Sequence, residues 1–289
     1  MAIKTKQADV SLEIEQNKIS KRSAFYKIQS VKQQNANVTI SQPSVSYSSV
    51  PYDPIINVLP PSQNGSKYWM VEQQSGNRFY VRTIGQECEL VPPNMEKDYC
   101  GHISTNWDGF KGPSGRLVIP SSIRIGGEDY LVTSVGKNAF CLSGDFTKVE
   151  LPQTIKKIGE GAFCGTNIEV VILPDSVIEI APLAFHMCSK LHSIQLPTKI
   201  TLLRHHLLTD TKINELIIPD SVAVIENKFF CRREQYGKLT LRMMGKPPQI
   251  EECPFILGGF VQKDVLVPQV FLNHYNNDRF WQTMNLIPY

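Results

Sequence analysis

Close cysteine pairs, long apolar runs and a strong charge of either sign are all missing from this 289-residue chain. Its seven cysteines are odd in number and scattered, which argues against a disulfide framework. No apolar run approaches the roughly 18 residues of a membrane span. The opening residues, MAIKTKQADVSLEIEQ, lack the apolar core of a signal peptide. Taken alone, that start predicts a cytoplasmic chain, unless an export signal has been removed or replaced. The formal net charge of +3 is too small to argue for nucleic acid, and the basic residues are scattered rather than interleaved with aromatics. A phosphate-binding glycine loop, paired acid–base carboxylates and a nucleophile elbow are also missing. The expectation is a chain with no catalytic residues, no cofactor and no metal.

What is present is a globular composition, 42% hydrophobic and 20% charged, long enough for one or two domains with a substantial core. Residues 1–66 are poor in core-formers, and VTISQPSVSYSSVPYDPIINVLPPSQNGS reads as a Pro/Ser linker. They are expected to form a mobile or loosely docked polar arm, a solvated tail rather than a partner-binding tether. Residues 67–116 read as short strands and turns, with a hairpin about Ser75-Gly76-Asn77 in YWMVEQQSGNRFYVR. They are expected to cap the N-terminal end of a repeat array.

That array occupies most of the remaining chain. The stretch IGEGAFCGTNIEVVILPDSVIEIAPLAFHMCSKL shows its elements, and an apolar-x-x-apolar-x-apolar pattern recurs seven times. Its members begin at Ser114, Phe146, Ile168, Leu191, Ile213, Tyr236 and Gln262, in steps of 32, 22, 23, 22, 23 and 26 residues. The first and last members are weak, and the long first step holds an insert, SSIRIGGEDYL. Pro120, Pro152, Pro174, Pro197, Pro219 and Pro268 come just after the pattern. Proline donates no N–H and stops each strand at one edge. Asp175-Ser176 and Asp220-Ser221 then supply turn-forming side chains. A second apolar pair comes next: Val132/Val135, Ile155/Ile158, Val177/Ile180, Ile200/Leu203 and Val222/Ile225. The unit closes on Ala139-Phe140, Ala162-Phe163 or Ala184-Phe185, with Leu207-Leu208 and Phe229-Phe230 standing in later. Ordering each residue costs about 1–2 kcal/mol, and about six buried side chains do not offset that for a unit of this size. A unit therefore folds only when stacked on its neighbours, which is a solenoid of about seven rungs.

LVTSVGKNAF, LPQTIKKIGEGAFCG and LPDSVIEIAPLAFHMCSKLHSIQLP resemble the BspA-type leucine-rich repeats of bacterial surface proteins. RLVIPSSIRIGGEDYLVTSVGKNAF is similar to the first repeat of that family, and VLVPQVFLNHYNNDRFWQTMNLIP to its closing segment. The resemblance implies a right-handed leucine-rich-repeat solenoid, mainly β with short helical or 3-10 turns, over 117–267. Residues 67–116 and 268–289 would cap its ends. It also implies a non-enzymatic protein-binding module, often at the cell surface and adhesin-like. Two departures stand out: no export signal is seen, and RHHLL replaces Gly-x-x-Ala-Phe in one unit. The missing signal favours the alternative of an intracellular scaffold or antidote protein. A monomer is expected, with a host, matrix or intracellular protein as partner.

Strand alternation points the third and fifth positions of each pattern outward. This sets Lys148/Glu150, Val170/Ile172, Ser193/Gln195, Glu215/Ile217 and Lys238/Thr240 in two columns. Most are polar, but Val170, Ile172 and Ile217 are not, and His192 lies beside them. An apolar group rimmed by polar residues is a contact patch, so Val170, Ile172, His192, Ser193, Gln195, Glu215 and Ile217 are the candidate binding residues. The competing reading is that β-branched residues simply suit strands.

Other clusters read as structural. His186, Cys188 and His192 have a metal-like spacing, but the repeat register separates them. His205 and His206 are adjacent and lack a third ligand at fixed spacing, although they could sense pH. A Cys100/His102 enzyme, with Asn106 following, or a metal protein holding its ion at His205/His206, is a distant alternative. Cys141 and Cys164 occupy equivalent places in successive units and read as reduced, buried thiols. Phe271, Tyr275, Phe280, Trp281 and Tyr289 read as a cap over the last rung rather than a ligand site.

Overall fold

A computed structural model describes residues 52–95, 106–231, 238–252, 254–256 and 262–289. The described chain opens with four antiparallel strands: β1 (Ile55–Leu59), β2 (Trp69–Gln73), β3 (Arg78–Ile84) and β4 (Glu87–Val91). A one-turn helix, α1 (Pro61–Asn64), links the first two. Gly76 turns the β2–β3 hairpin at φ 84°, a conformation that suits a residue without Cβ. The sheet starts upstream of residue 67. Residues 55–59 are a strand and not part of a mobile arm, because Ile55, Val58 and Leu59 pack on the core. The Pro/Ser-rich surroundings mask this short apolar run. Residues 1–51 lie outside the described residues.

The chain then winds. β5 (Gly115–Val118) leads into a hairpin of β6 (Ser122–Ile125) and β7 (Glu128–Val135), which is the insert in the long first step. Next come β8 (Phe146–Glu150), β9 (Lys157–Ile158), β10 (Val170–Ile172), β11 (Glu179–Ile180), β12 (Ser193–Gln195) and β13 (Leu202–Leu203). The last part holds β14 (Glu215–Ile218), β15 (Val224–Ile225), β16 (Phe230–Cys231), β17 (Lys238–Met243), β18 (Gln249–Ile250), β19 (Phe255–Ile256), β20 (Gln262–Val267) and β21 (Asn285–Pro288). Parallel pairing sorts these strands into faces. The front face is the sheet β5-β8-β10-β12 continued by the sheet β14-β17-β20-β21. The rear face is β4-β7-β9-β11 continued by β13-β15-β18, and β16 pairs with β19. The cap is therefore continuous with the rear face, since β4 serves as the rung before β7. The result is a β-solenoid of about six turns with few helices.

The inward positions fill the core as alternation requires. Leu117, Val149, Val171, Ile194, Leu216, Leu241 and Val265 are buried behind the front face, as are the five rear apolar pairs. The turns between faces form a third column. Phe140, Phe163 and Phe185 stack nearly parallel, with centroids 5.5 and 5.4 Å apart. Leu208 and Phe230, equally buried, continue the column. Backbone bonds join these turns coil to coil: Phe140 N donates to Ala162 O at 2.7 Å and Phe163 N to Ala184 O at 2.9 Å. Gly161 lies at φ 60°, and Asn138, Leu183, His206 and Lys228 take the same left-handed conformation in the equivalent place. The RHHLL unit thus keeps the backbone path of the glycine units, with Leu207-Leu208 filling the Ala-Phe sites. The hydroxyl after Pro-Asp or Pro-Gln also ties coils together. Thr154, Ser176 and Ser221 donate to Val132 O, Ile155 O and Ile200 O, each at 2.7 Å.

One register differs from the sequence reading. Glu215 pairs with Thr240 and Ile218 with Met243, so the sixth pattern starts at Lys238 rather than Tyr236. Leu239, Leu241 and Met243 are all buried. A slip by two residues keeps every side chain on its face, so alternation alone did not distinguish the two registers.

Both ends are closed by side chains. At the start, two buried amides serve the open edge of β5. Gln73 Nε2 donates to Val118 O at 2.6 Å, and Asn77 Nδ2 to Arg116 O at 2.7 Å, while Asn77 Oδ1 accepts from Ser114 N at 2.9 Å. Trp107 lies on Phe140 with centroids 6.1 Å apart and donates from Nε1 to Ala139 O at 3.0 Å, ending the aromatic column. At the finish, α2 (Leu272–Asn276) brings in Tyr275, and Trp281 comes soon after it; both are fully buried. Tyr275 Oη donates to Gly245 O at 3.0 Å and Trp281 Nε1 to Pro248 O at 3.2 Å. The closing segment also adds β21 in parallel to β20, as an eighth front strand. Removing the amide in Asn77→Ala strands two backbone groups of the first rung. A loss of about 1–3 kcal/mol in unfolding free energy is expected in urea titration.

Candidate binding face

The front strands present two outward columns. Pairing sets Lys148 beside Val170 and Val170 beside Ser193. Across the junction of β12 and β14, Glu215 continues this column into Thr240, Asp264 and Asn285. The second column runs through Glu150, Ile172, Gln195, Ile217, Arg242, Leu266 and Ile287. Val170, Ile172, Ser193, Gln195, Glu215 and Ile217 are half-buried, and His192 is exposed at the margin. The sequence-derived set thus falls on one face, spread over three neighbouring strands.

The charges on this face are mostly matched within it. Glu150 meets Arg116 at 2.6 Å and Lys148 at 3.0 Å. Asp264 is almost fully buried, and meets Lys238 at 2.5 Å and Asn285 Nδ2 at 2.6 Å. Arg242 lies over the Tyr289 ring, 4.8 Å from its centroid, while Tyr289 Oη donates to Met243 O at 2.7 Å. Glu215 is different. Its Oε1 is buried and has no hydrogen-bond partner. Burial raises its affinity for a proton, and Arg242 offsets this only in part. Arg242 escapes the sequence reading because the register of β17 sets it beside Ile217, and Asp264 lies one strand further on, beside Thr240.

The remaining clusters separate. Cys188 is buried inside the coil, with Sγ 3.1 Å from Phe163 O and 3.4 Å from Thr166 Oγ1, and burial pushes its thiol up to about 12. His192 is exposed just before β12, its Nδ1 3.3 Å from Lys190 O, and His186 instead faces His206, ring centroids 6.0 Å apart. These three side chains do not converge. Among the described residues, no group of three His, Cys, Asp or Glu could hold a metal ion. His205 does gain an acidic partner, which the solenoid supplies from the next coil. Its Nδ1 is 3.2 Å from Glu226, which also meets Arg204 at 2.6 Å. Cys141 and Cys164 are buried free thiols, and the Cys141 contact, then burial, disfavours the Cys164 thiolate. Cys100 and His102 lie outside the described residues. Asn106 is buried, with Nδ2 donating to Asn94 O at 2.5 Å.

His206 is packed against His205, and its Nδ1 is 3.1 Å from Thr209 Oγ1. Burial, then His205 and Lys228, hold its proton affinity below the ordinary histidine value, and Asp210 opposes them weakly. The folded pKa is therefore below the unfolded one, so the unfolded chain takes up the proton first. Stability is expected to fall as pH drops below about 6.5. His206→Asn, which tolerates the left-handed backbone, should flatten that part of the profile in thermal melts between pH 7 and 5.

No curated protein sequence matches this chain significantly. Among solved structures, the pneumococcal vaccine antigen PcpA is 16% identical, with a TM-score of 0.39 over 68% of this chain and 49% of its own. This chain thus spans about half the length of PcpA. A leucine-rich repeat protein from Bacteroides capillosus is 23% identical over 50% of this chain and 80% of its own, with a TM-score of 0.28. A leucine rich cell surface protein from Faecalibacterium prausnitzii is 13% identical over 73% and 93%, with a TM-score of 0.25. The family model for the BspA type leucine rich repeat region matches in six copies. Repeat regions of this kind are typically protein-binding modules rather than enzymes. With the stacked coils, the Ala-Phe turns and the parallel front ladder in place, residues 122–236 belong to the BspA-type leucine-rich repeat family.

Proposed function

We propose that this chain binds a protein partner on its front face, through Val170, Ile172, His192, Ser193, Gln195, Glu215 and Ile217, and that it does so as a monomer at the cell surface. The observation that carries the reading is the half-buried apolar group of Val170, Ile172 and Ile217 in columns that are otherwise polar on the same strands. Hydrogen-bonded rungs fix these side chains before a partner arrives, so little ordering entropy is lost on this side when it docks. The repeat family supports the protein-binding class and the surface location; the geometry of the face supports the residues.

Two measurements test this. Protease shaving of intact cells, with antibody detection, is expected to remove the signal; protection would place the chain inside and contradict the surface location. Ile172→Lys sets a charge in the middle of the patch on an outward position, and is expected to weaken partner binding by tenfold or more, about 1.4 kcal/mol. Its melting temperature should be close to wild type. Unchanged affinity in that variant contradicts the assignment of the face.

A further inference from the structure

We infer that the partner places a lysine or arginine side chain against Glu215, with apolar neighbours covering Ile172 and Ile217; this rests on the front face being the binding surface. Charge on the face is unevenly matched. Glu150 and Asp264, on the same outward columns, are each neutralised by side chains of this chain. Glu215 is not. Its column neighbours are Thr240 and, across the sheet junction, Ser193, neither of which is a cation. The next outward residue on its own strand is Ile217. Arg242, one strand over beside Ile217, is held over Tyr289, and no ion pair joins it to Glu215 among the described residues.

The carboxylate of half-buried Glu215 has no cation of its own, and a donor brought to its accessible side lowers the cost of keeping it charged. A charged donor gains most there, because the half-buried site screens the pair less than water does. The surroundings fix the rest of the chemistry. Ile217 follows Glu215 on the same strand, and Ile172 lies two strands away on the second column beyond Gln195, so the cation is carried by a segment whose apolar residues lie to one side of it. An acidic partner segment would set like charges together and is disfavoured.

The test uses immobilised nine-residue peptides with randomised flanks and a fixed central residue, in four pools: Lys, Arg, norleucine and Glu. They are probed with the purified full chain as wild type, Glu215→Gln and Ile172→Lys, each checked for folding by circular dichroism. The Lys and Arg pools are expected to retain wild type at least tenfold more strongly than the norleucine pool, and Glu215→Gln is expected to abolish that difference. Equal retention on the Lys and norleucine pools, lost in Ile172→Lys, overturns the cation and leaves the face. Preference for the Glu pool overturns the cation as well. Retention on every pool no greater than that of Ile172→Lys overturns the face, and the cation with it.

Discussion

Phe163→Ala is expected to lower the unfolding free energy by about 3–5 kcal/mol, the cost of a large cavity in a packed core. Phe163 is fully buried and stacks on Phe140 and Phe185 at once. Each coil of a solenoid is stabilised chiefly by its two neighbours, so one truncation weakens two interfaces. Phe163→Leu is expected to cost much less, roughly 1–2 kcal/mol, because the chain itself uses Leu208 at the equivalent place. Urea titration monitored by circular dichroism checks both. Wild-type stability in the alanine variant would show that the aromatic column does not hold the coils together.

The second large effect is expected at the closing end. Trp281 is fully buried, donates to Pro248 O, and meets Tyr275 and Phe280 edge to face at 5.8 and 5.2 Å. Trp281→Ala opens a large cavity beneath α2 and leaves Pro248 O without that donor, at a cost of about 3–5 kcal/mol. The loss should be polarised. Hydrogen exchange is expected to rise first in β20 and β21, while β8 and β10 keep their protection, since local opening in a repeat array spreads from the weakened end. Uniform loss of protection from β5 to β21 would contradict a cap that acts locally.

The periodic part of this fold was legible because each unit repeats three apolar clusters at fixed distances, and stacking is the one way to bury all three. Leu117 to Val265 on the front and Val132 to Ile225 on the rear fall where alternation puts them. The misses share a cause: they depend on pairing rather than periodicity. Two registers of β17 place the same residues on the same faces, so the column partner of Glu215 is Thr240 rather than Lys238. β1 is a short apolar run inside a Pro/Ser-rich context, and β21 hides within a segment whose aromatics announce a cap. Glu226 reaches His205 only because one coil brings residues 21 apart together. The outward apolar group was readable from alternation. The unmatched state of Glu215 was not, since it depends on Lys238 being drawn to Asp264 and Arg242 to the Tyr289 ring.

The most direct test of the central claim is photo-cross-linking in the native cell. A photoreactive residue at position 172 reports on the front face. The same residue at position 178 is the control, because Ile178 is 55% exposed beside β11 on the rear face. A front-face binding protein predicts a discrete protein adduct from position 172 and none from position 178. Adducts from 178 alone, or the same adducts from both positions, would contradict it.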